Sequence, residues 1–251
     1  MSDDDAWAAL ADAFVEGAYA TVKGQVRTYV LHQHLLRHLP APPASVLDVG
    51  GGAAHQSLPL ARLGYDVTVL DPSEAMLAKA RQRVATESEA VRDRVRFIQA
   101  EGEKADGETF DVVLCHGVLM YLDQPEPMLD ALCRSLAPGG LLSIMALNAR
   151  TLAVRPAIEQ RWDEALAAFD AATETGVFGT STRADTVDHL SQLMRDREVD
   201  PVAWYGVWLF TDWRDPDPDD LEVVAAVELQ ASLRDPYRGL SRVFHLLGHR
   251  R

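Results

Sequence analysis

The sequence predicts an α/β protein built on a mostly parallel sheet with helices on both faces. Three observations predict it: short β-rich runs recur between residues 45 and 147, helical stretches separate them, and glycines cluster where one strand hands over to a helix. Alternation of this kind demands parallel strands joined by helical crossovers. In chain order, residues 6–39 read as helical, with Leu10, Phe14 and Ala18 at a spacing of four. A second helix runs from about Gly24 to Leu39 and is stopped by Pro40, Pro42 and Pro43. Strands follow at 45–49 (SVLDV), 66–70 (DVTVL), 95–99 (VRFIQ) and 110–115 (FDVVLC), with helices at 56–63, 73–86 and 125–136 between them. Pro138-Gly139-Gly140 reads as a turn that launches a fifth strand, 141–147 (LLSIMAL). Beyond Asn148 the pattern predicts a helix over 151–172 carrying Trp162 and Phe169, and another over 184–197. Then come a strand over 204–210, an acidic solvated bend at 212–220, a helix over 221–233 and a last strand over 242–247. Trp204, Trp208 and Phe210 alternate within their strand, which assigns them to core packing.

Length and composition bound the function. A 251-residue chain is long enough to bury roughly 70–75% of its extended surface, so its core needs no disulfides or metals. The 24 basic residues face 38 acidic ones, a net charge of −14, which argues against a general nucleic-acid coat protein. A local basic groove is compatible with that balance. No apolar run approaches the ~18 residues of a membrane span, and the opening MSDDDAWAALADAF is acidic where a secretory signal is basic and then apolar. These features predict a cytoplasmic protein. Cys115 and Cys133 lie in apolar stretches and read as reduced core thiols. His34 and His38 share a helix face, but no Cys, Asp or Glu near them in sequence completes a metal shell, so no metal is expected.

The most informative motif is VLDVGGGAAHQ at 46–56, directly after a strand and opening a helix. Gly50 and Gly52 satisfy the first two glycines of a dinucleotide fingerprint, but the third position is His55. Asp48 stands at the strand end, where a pyrophosphate would meet a carboxylate. A sulfonium cofactor bearing an amino-acid moiety suits that carboxylate better, because Asp48 supports binding of the α-ammonium while Gly50, Gly51 and Gly52 admit the ligand close to the backbone. Asp71, at the tip of the next strand, accepts the ribose hydroxyls of an adenosine, whether of NAD or of S-adenosylmethionine. Met76 follows closely enough to touch an adenine. Two other classes share part of this pattern: a nicotinamide-dependent oxidoreductase and a non-catalytic cofactor-binding protein.

VLDVGGG, LDPSEAMLAKA, FDVVLCHGVLMYL and LAPGGLLSIM together resemble the successive motifs of the S-adenosylmethionine-dependent methyltransferases of the seven-stranded, Rossmann-like class, over residues 44–147. That class implies a C-terminal antiparallel strand hairpin, here from the strands near 204–210 and 242–247. A closer resemblance runs almost end to end. YATVKGQVR (19–27), CHGVLMYL (115–122), SIMALNAR (143–150) and the terminal RDPYRGLSRVFHLLGHR are similar to the bacterial tRNA 5-carboxymethoxyuridine methyltransferases, which methylate a carboxylate on a wobble uridine. The resemblance implies that Arg27 pairs with the cofactor carboxylate, Gly51 and Gly52 line the loop, Asp71 holds the ribose, Gly102 and Glu103 flank the adenine, and His116 lies over the methionine side.

On this reading residues 1–251 form one domain: an N-terminal helical cap (1–40), a cofactor-binding core (44–147), a substrate-side insertion (148–183) and C-terminal helix and strand elements (184–251). The expected partners are S-adenosylmethionine and either tRNA or a small-molecule methyl acceptor, with no membrane. A carboxylate acceptor needs no general base, whereas a hydroxyl acceptor would call on His116. Tyr121 and Asn148, at the ends of the fourth and fifth strands, are expected on the substrate side. Within the insertion the run ATETGVFGTSTRAD carries Arg183 as its one basic residue. The cationic stretch is instead C-terminal, where Arg234, Arg238, Arg242, Arg250 and Arg251 face only Asp235 and are the candidates to hold phosphates.

Overall fold

The computed structural model describes residues 19–105, 107–176, 179–213 and 216–251. The helix expected over Leu10, Phe14 and Ala18 lies outside the described residues. Helix α1 (Val22–Leu35) is capped by Thr21, whose hydroxyl accepts the Gly24 N–H. After it come β1 (Ser45–Val49), α2 (Ser57–Arg62), β2 (Asp66–Asp71), α3 (Glu74–Ala85), the short α4 (Glu89–Arg92), β3 (Val95–Gln99), β4 (Phe110–His116), α5 (Glu126–Arg134) and β5 (Leu136–Leu147). The remainder comprises α6 (Val154–Ile158), α7 (Trp162–Ala168), β6 (Thr173–Thr175), β7 (Ser181–Arg183), α8 (Val187–Arg195), β8 (Val199–Val207), α9 (Leu221–Ser232) and β9 (Val243–Arg250).

Seven strands form one sheet in the order β3-β2-β1-β4-β5-β9-β8; β6 and β7 make a separate hairpin. The first five are parallel, and β9 runs antiparallel to both β5 and β8. Alternate residues of β4 show why its centre, Val112 to Cys115, reads as an unbroken apolar run. Val113 and Cys115 join Leu129 of α5 and Leu190 of α8 in one core, while Val112 and Leu114 join Leu60 of α2 and Leu77 of α3 in another. A strand buried on both faces has no polar side to show. Strand order reverses direction at β1 and β4, and the crevice outside the carboxyl ends of such strands is where open α/β sheets bind ligands.

Four expectations change. Pro138-Gly139-Gly140 lies inside β5 as an irregularity: Phe110 pairs with Leu136 and Val112 with Leu141, so the partner strand carries extra residues. Only a residue without Cβ fits at Gly140, where an added Cβ would stand 2.8 Å from the Ala137 carbonyl oxygen. The helix expected over 151–172 is two short helices, α6 and α7, broken at Gln160 with φ 60°. The strand expected over 204–210 begins earlier, at Val199, and ends at Val207. Trp208 then turns the chain with φ 60°, leaving Phe210 exposed and outside the sheet. Both cysteines are buried and free.

Candidate functional site

The glycine loop closes over the end of β1. Gly50 and Gly52 have φ of 67° and 52°, a region side chains avoid. Space is equally restrictive at Gly51, where a Cβ would stand 2.9 Å from both the Asp48 carboxylate and Val69. Asp48 is buried and accepts a 2.5 Å hydrogen bond from the Ser57 hydroxyl. Burial nevertheless pushes its carboxyl up to about 7. At the end of β2 the Asp71 carboxylate accepts the Gly52 N–H on Oδ2 and the Ser73 N–H on Oδ1, each at 2.9 Å. Every carboxylate oxygen has two acceptor positions, so both Asp71 oxygens keep one for a ligand hydroxyl. Met76 packs on Ala53 beside this loop. Gly102 is buried against Val49 and Met128, and Glu103 stands half-buried next to it in a short 3₁₀ turn.

Beside the loop opens a cavity of about 930 Å³. His116, at the end of β4, and Tyr121 line it, as do Arg27 of α1 and three residues that sequence reasoning did not single out for a site: Tyr19, Lys23 and Asp212. Trp208, assigned to the core from its alternation, also faces the cavity. The aromatic rings hold the cations. The Arg27 guanidinium sits 4.3 Å from the Tyr19 ring centre and 5.5 Å from that of Trp208, and Lys23 Nζ lies 4.6 Å over Trp208. Trp208 is fixed in turn by its indole N–H, which donates to the Lys23 carbonyl at 2.9 Å. Below it the Glu228 carboxylate accepts the Leu209 and Thr211 N–H groups and the Thr211 hydroxyl, tying down the turn.

Loop and cavity adjoin through two contacts. The His55 ring stacks on Tyr19 at 3.9 Å, and Val118, two residues after His116, packs on Gly50. The structure therefore brings Arg27, His116 and Tyr121 to the cavity, and Asp48, Gly50, Gly51, Gly52, Asp71, Met76, Gly102 and Glu103 to the strand ends beside it. Asn148 is not brought there. It is buried, its amide donates to the Ser241 carbonyl at 3.0 Å and its oxygen accepts the Arg150 N–H at 3.1 Å, so its polar groups are consumed in capping the end of β5. Two further expectations are corrected. Asp212 is no solvated acid: it is buried and accepts from Lys23 Nζ at 2.8 Å. The C-terminal arginines are already engaged: Arg238 with Asp235, Arg251 with Asp200, Arg242 with Glu174, Arg250 with the Leu136 carbonyl and Arg234 with Gln230. His34 hydrogen-bonds to His245 and Ser232, and His38 to Tyr205.

Five cations line the cavity, and among the described residues all but Arg27 hold a protein carboxylate: Lys23 that of Asp212, Arg242 that of Glu174, Arg155 that of Glu159, and Arg161 those of Glu159 and Glu164. Lys23, Arg27, Arg155, Arg161 and Arg242 line it against Glu164, Glu174 and Asp212, in a chain whose net charge is −14. Arg27 Nε and His116 Nδ1 are buried with no hydrogen-bond partner among the described residues. His116 is a weak base, since burial and the nearby Arg27 lower its pKa to about 3. Tyr121 is held in its neutral form, pushed up to about 12 by burial.

A seven-stranded sheet with a reversed last strand, a glycine loop after β1 and a ribose-type carboxylate after β2 define a Rossmann-like nucleotide-cofactor enzyme. Comparison with known proteins specifies the class: residues 47–142 match a methyltransferase domain family, and the chain is an S-adenosylmethionine-dependent methyltransferase. It is 28% identical over 246 residues to a tRNA 5-carboxymethoxyuridine methyltransferase of Escherichia coli O157:H7, covering 94% of this chain and 93% of that one. In fold it is similar to a chain from the complex between the Haloferax volcanii Trm112 methyltransferase activator and a methyltransferase, with TM-score 0.64, 19% identity, and coverage of 99% and 98%. It is also similar to the magnesium protoporphyrin IX methyltransferase of Synechocystis PCC 6803 with bound SAH, with TM-score 0.61, 17% identity, and coverage of 95% and 87%. The nicotinamide and non-catalytic alternatives fall with these findings. No helix among the described residues is long and apolar enough to cross a membrane.

Proposed function

We propose that this enzyme methylates a carboxylate, and that the acceptor is the carboxylate of a modified wobble uridine in tRNA. The observation that carries the carboxylate is the excess of cations in the cavity beside His116. The full-length likeness to a tRNA 5-carboxymethoxyuridine methyltransferase supports the tRNA. Residues 148–183, which supply α6, α7 and the β6–β7 hairpin to the cavity wall, form the substrate-side insertion of a single domain whose core, 44–147, holds the cofactor.

The loop residues fit the cofactor. Asp71 offers two acceptor positions to the ribose diol; Gly50, Gly51 and Gly52 leave room that a Cβ would fill; Asp48 supports the ammonium; Gly102, Glu103 and Met76 border the adenine. Arg27, with a buried Nε–H lacking an acceptor, takes the cofactor carboxylate. Bound S-adenosylmethionine supplies an electrophilic methyl group on its sulfonium. This chain's task is then alignment of the nucleophile, at about 3–3.5 Å from the methyl carbon. A carboxylate is ionised at neutral pH and needs no proton removed, which agrees with the low basicity of His116. Arg155 and Lys23, each holding one protein carboxylate as well, orient it, and Tyr121 closes the wall as a neutral phenol.

A second reading, a small-molecule carboxylate as acceptor, is favoured by one observation: the C-terminal arginines expected to grip phosphates are already engaged by the protein itself. Transfer of a tritiated methyl group in cell extract, with products split into RNA and small-molecule pools, separates the two. Label in RNA supports the proposal; label confined to small molecules replaces it with the second reading.

A further inference from the structure

A chain of hydrogen bonds leaves the cavity wall at His116 and runs through the sheet to the far helix. His116 Nε2 lies 2.8 Å from Ser143 Oγ, Ser143 Oγ 2.6 Å from His245 Nε2, His245 Nδ1 3.2 Å from His34 Nδ1, and His34 Nε2 2.8 Å from Ser232 Oγ. The Ser232 hydroxyl donates to the Leu229 carbonyl at 2.7 Å. Ser143, His245, His34 and Ser232 are all buried, and they come from β5, β9, α1 and α9, four elements distant in sequence. Burial holds the rings neutral: His34 falls to about 3, and His245 well below its ordinary value.

A neutral imidazole carries one proton, and a serine hydroxyl carries one, so the direction of such a chain is fixed by its end. The Leu229 carbonyl only accepts. Ser232 therefore spends its proton there and accepts from His34 Nε2–H. That leaves His34 Nδ1 bare, so His245 holds its proton on Nδ1 and is bare at Nε2. Ser143 donates to that nitrogen and accepts from His116 Nε2–H. The opposite direction would abandon the Leu229 carbonyl and put a buried, partnerless N–H on His116 Nδ1, a rarer defect than a bare acceptor.

We propose that Ser143, His245, His34 and Ser232 are positioning residues that lock His116 in its Nε2–H tautomer, leaving Nδ1 as an acceptor for an N–H or O–H donor on a bound ligand. His116 on this account receives an ammonium or a hydroxyl and turns away a carboxylate, which is left to the cavity cations. The lock rests on the methyl-transfer reading only for which ligand supplies the donor.

Two-bond proton–nitrogen correlation spectra of the full chain labelled at the imidazole nitrogens, without cofactor and at neutral pH, test it directly. The expected pattern is Nε2–H for His116 and His34 and Nδ1–H for His245, with signals assigned by single His→Gln variants. His116 carrying its proton on Nδ1, or exchanging between tautomers, overturns the lock whatever the acceptor proves to be. In Ser232→Ala, which lies far from the cavity, the anchor is gone. His116 then populates both tautomers and the cofactor Kd rises about threefold to tenfold, the loss of about one hydrogen bond, and Ser232→Thr restores both. An unchanged His116 spectrum in Ser232→Ala also overturns the proposal, and the wild-type spectrum decides it if that variant does not fold.

Discussion

The two halves of the site are made of different material. Around the ends of β1 and β2, recognition is built from backbone and carboxylates: three glycines with no room for a side chain, two N–H groups fixed on Asp71, and Asp48 buried behind them. Across Tyr19 and Val118, the cavity is built from long cationic side chains of α1, α6 and the residue before β9, two of them, Lys23 and Arg27, held over the rings of Tyr19 and Trp208. The first half suits a ligand of fixed shape carrying hydroxyls and an ammonium. The second suits an anion. The contrast teaches that in this acidic chain net charge says nothing about the site, since five cations face three acidic side chains in the lining of the cavity where the acceptor is proposed to bind.

Variants on opposite sides of that divide sharpen it or break it. The largest effect is expected of Asp71→Ala, which removes a charged acceptor of two ribose hydroxyls. At about 1.5–3 kcal/mol for a hydrogen bond to a charged group, cofactor Kd by calorimetry should rise on the order of 100-fold, with acceptor KM little changed. Arg155→Gln should do the reverse, raising acceptor KM about tenfold at constant cofactor Kd; equal losses on both sides would erase the division. His116→Ala is expected to weaken cofactor binding severalfold and turnover less, so unchanged affinity with abolished turnover contradicts its assignment.

The smallest effect is on stability against pH. His34, His116 and His245 have pKa values lowered by burial, so below about 6.5 the unfolded chain binds protons that the folded one refuses. Stability is full above that pH and is lost as pH falls toward 3. Asp48, raised to about 7, acts with the opposite sign: its contribution is full below about 4 and is lost as pH rises through 7. Denaturant titrations between pH 4 and 7 should therefore show a steeper acid loss for Asp48→Asn than for the wild type.

The same divide decided what was legible in the sequence. The strands, the glycine loop and Asp71 could be read because their pattern is local: each lies within one βαβ unit, and a buried parallel strand writes itself as an apolar run. The cavity has no such spacing. Lys23 and Asp212 meet across 189 positions of chain, and nothing in the acidic stretch at 212–220 distinguishes the buried Asp212 from its solvated neighbours. Trp208 packs on the core as its alternation with Trp204 and Phe210 predicts, but its second role on the cavity wall is not legible, because the chain turns there with positive φ. The C-terminal arginines misled for a related reason: their carboxylate partners Glu174 and Asp200 are remote in sequence. The His116 relay was equally invisible, its members being spread from position 34 to 245.

The central claim is that the methyl group is delivered to a carboxylate. Methyl esters release methanol in mild alkali, while methyl groups on nitrogen, carbon or an ether oxygen do not. Product labelled from tritiated S-adenosylmethionine should lose its label as volatile methanol under mild alkali. Label that stays non-volatile would contradict the claim.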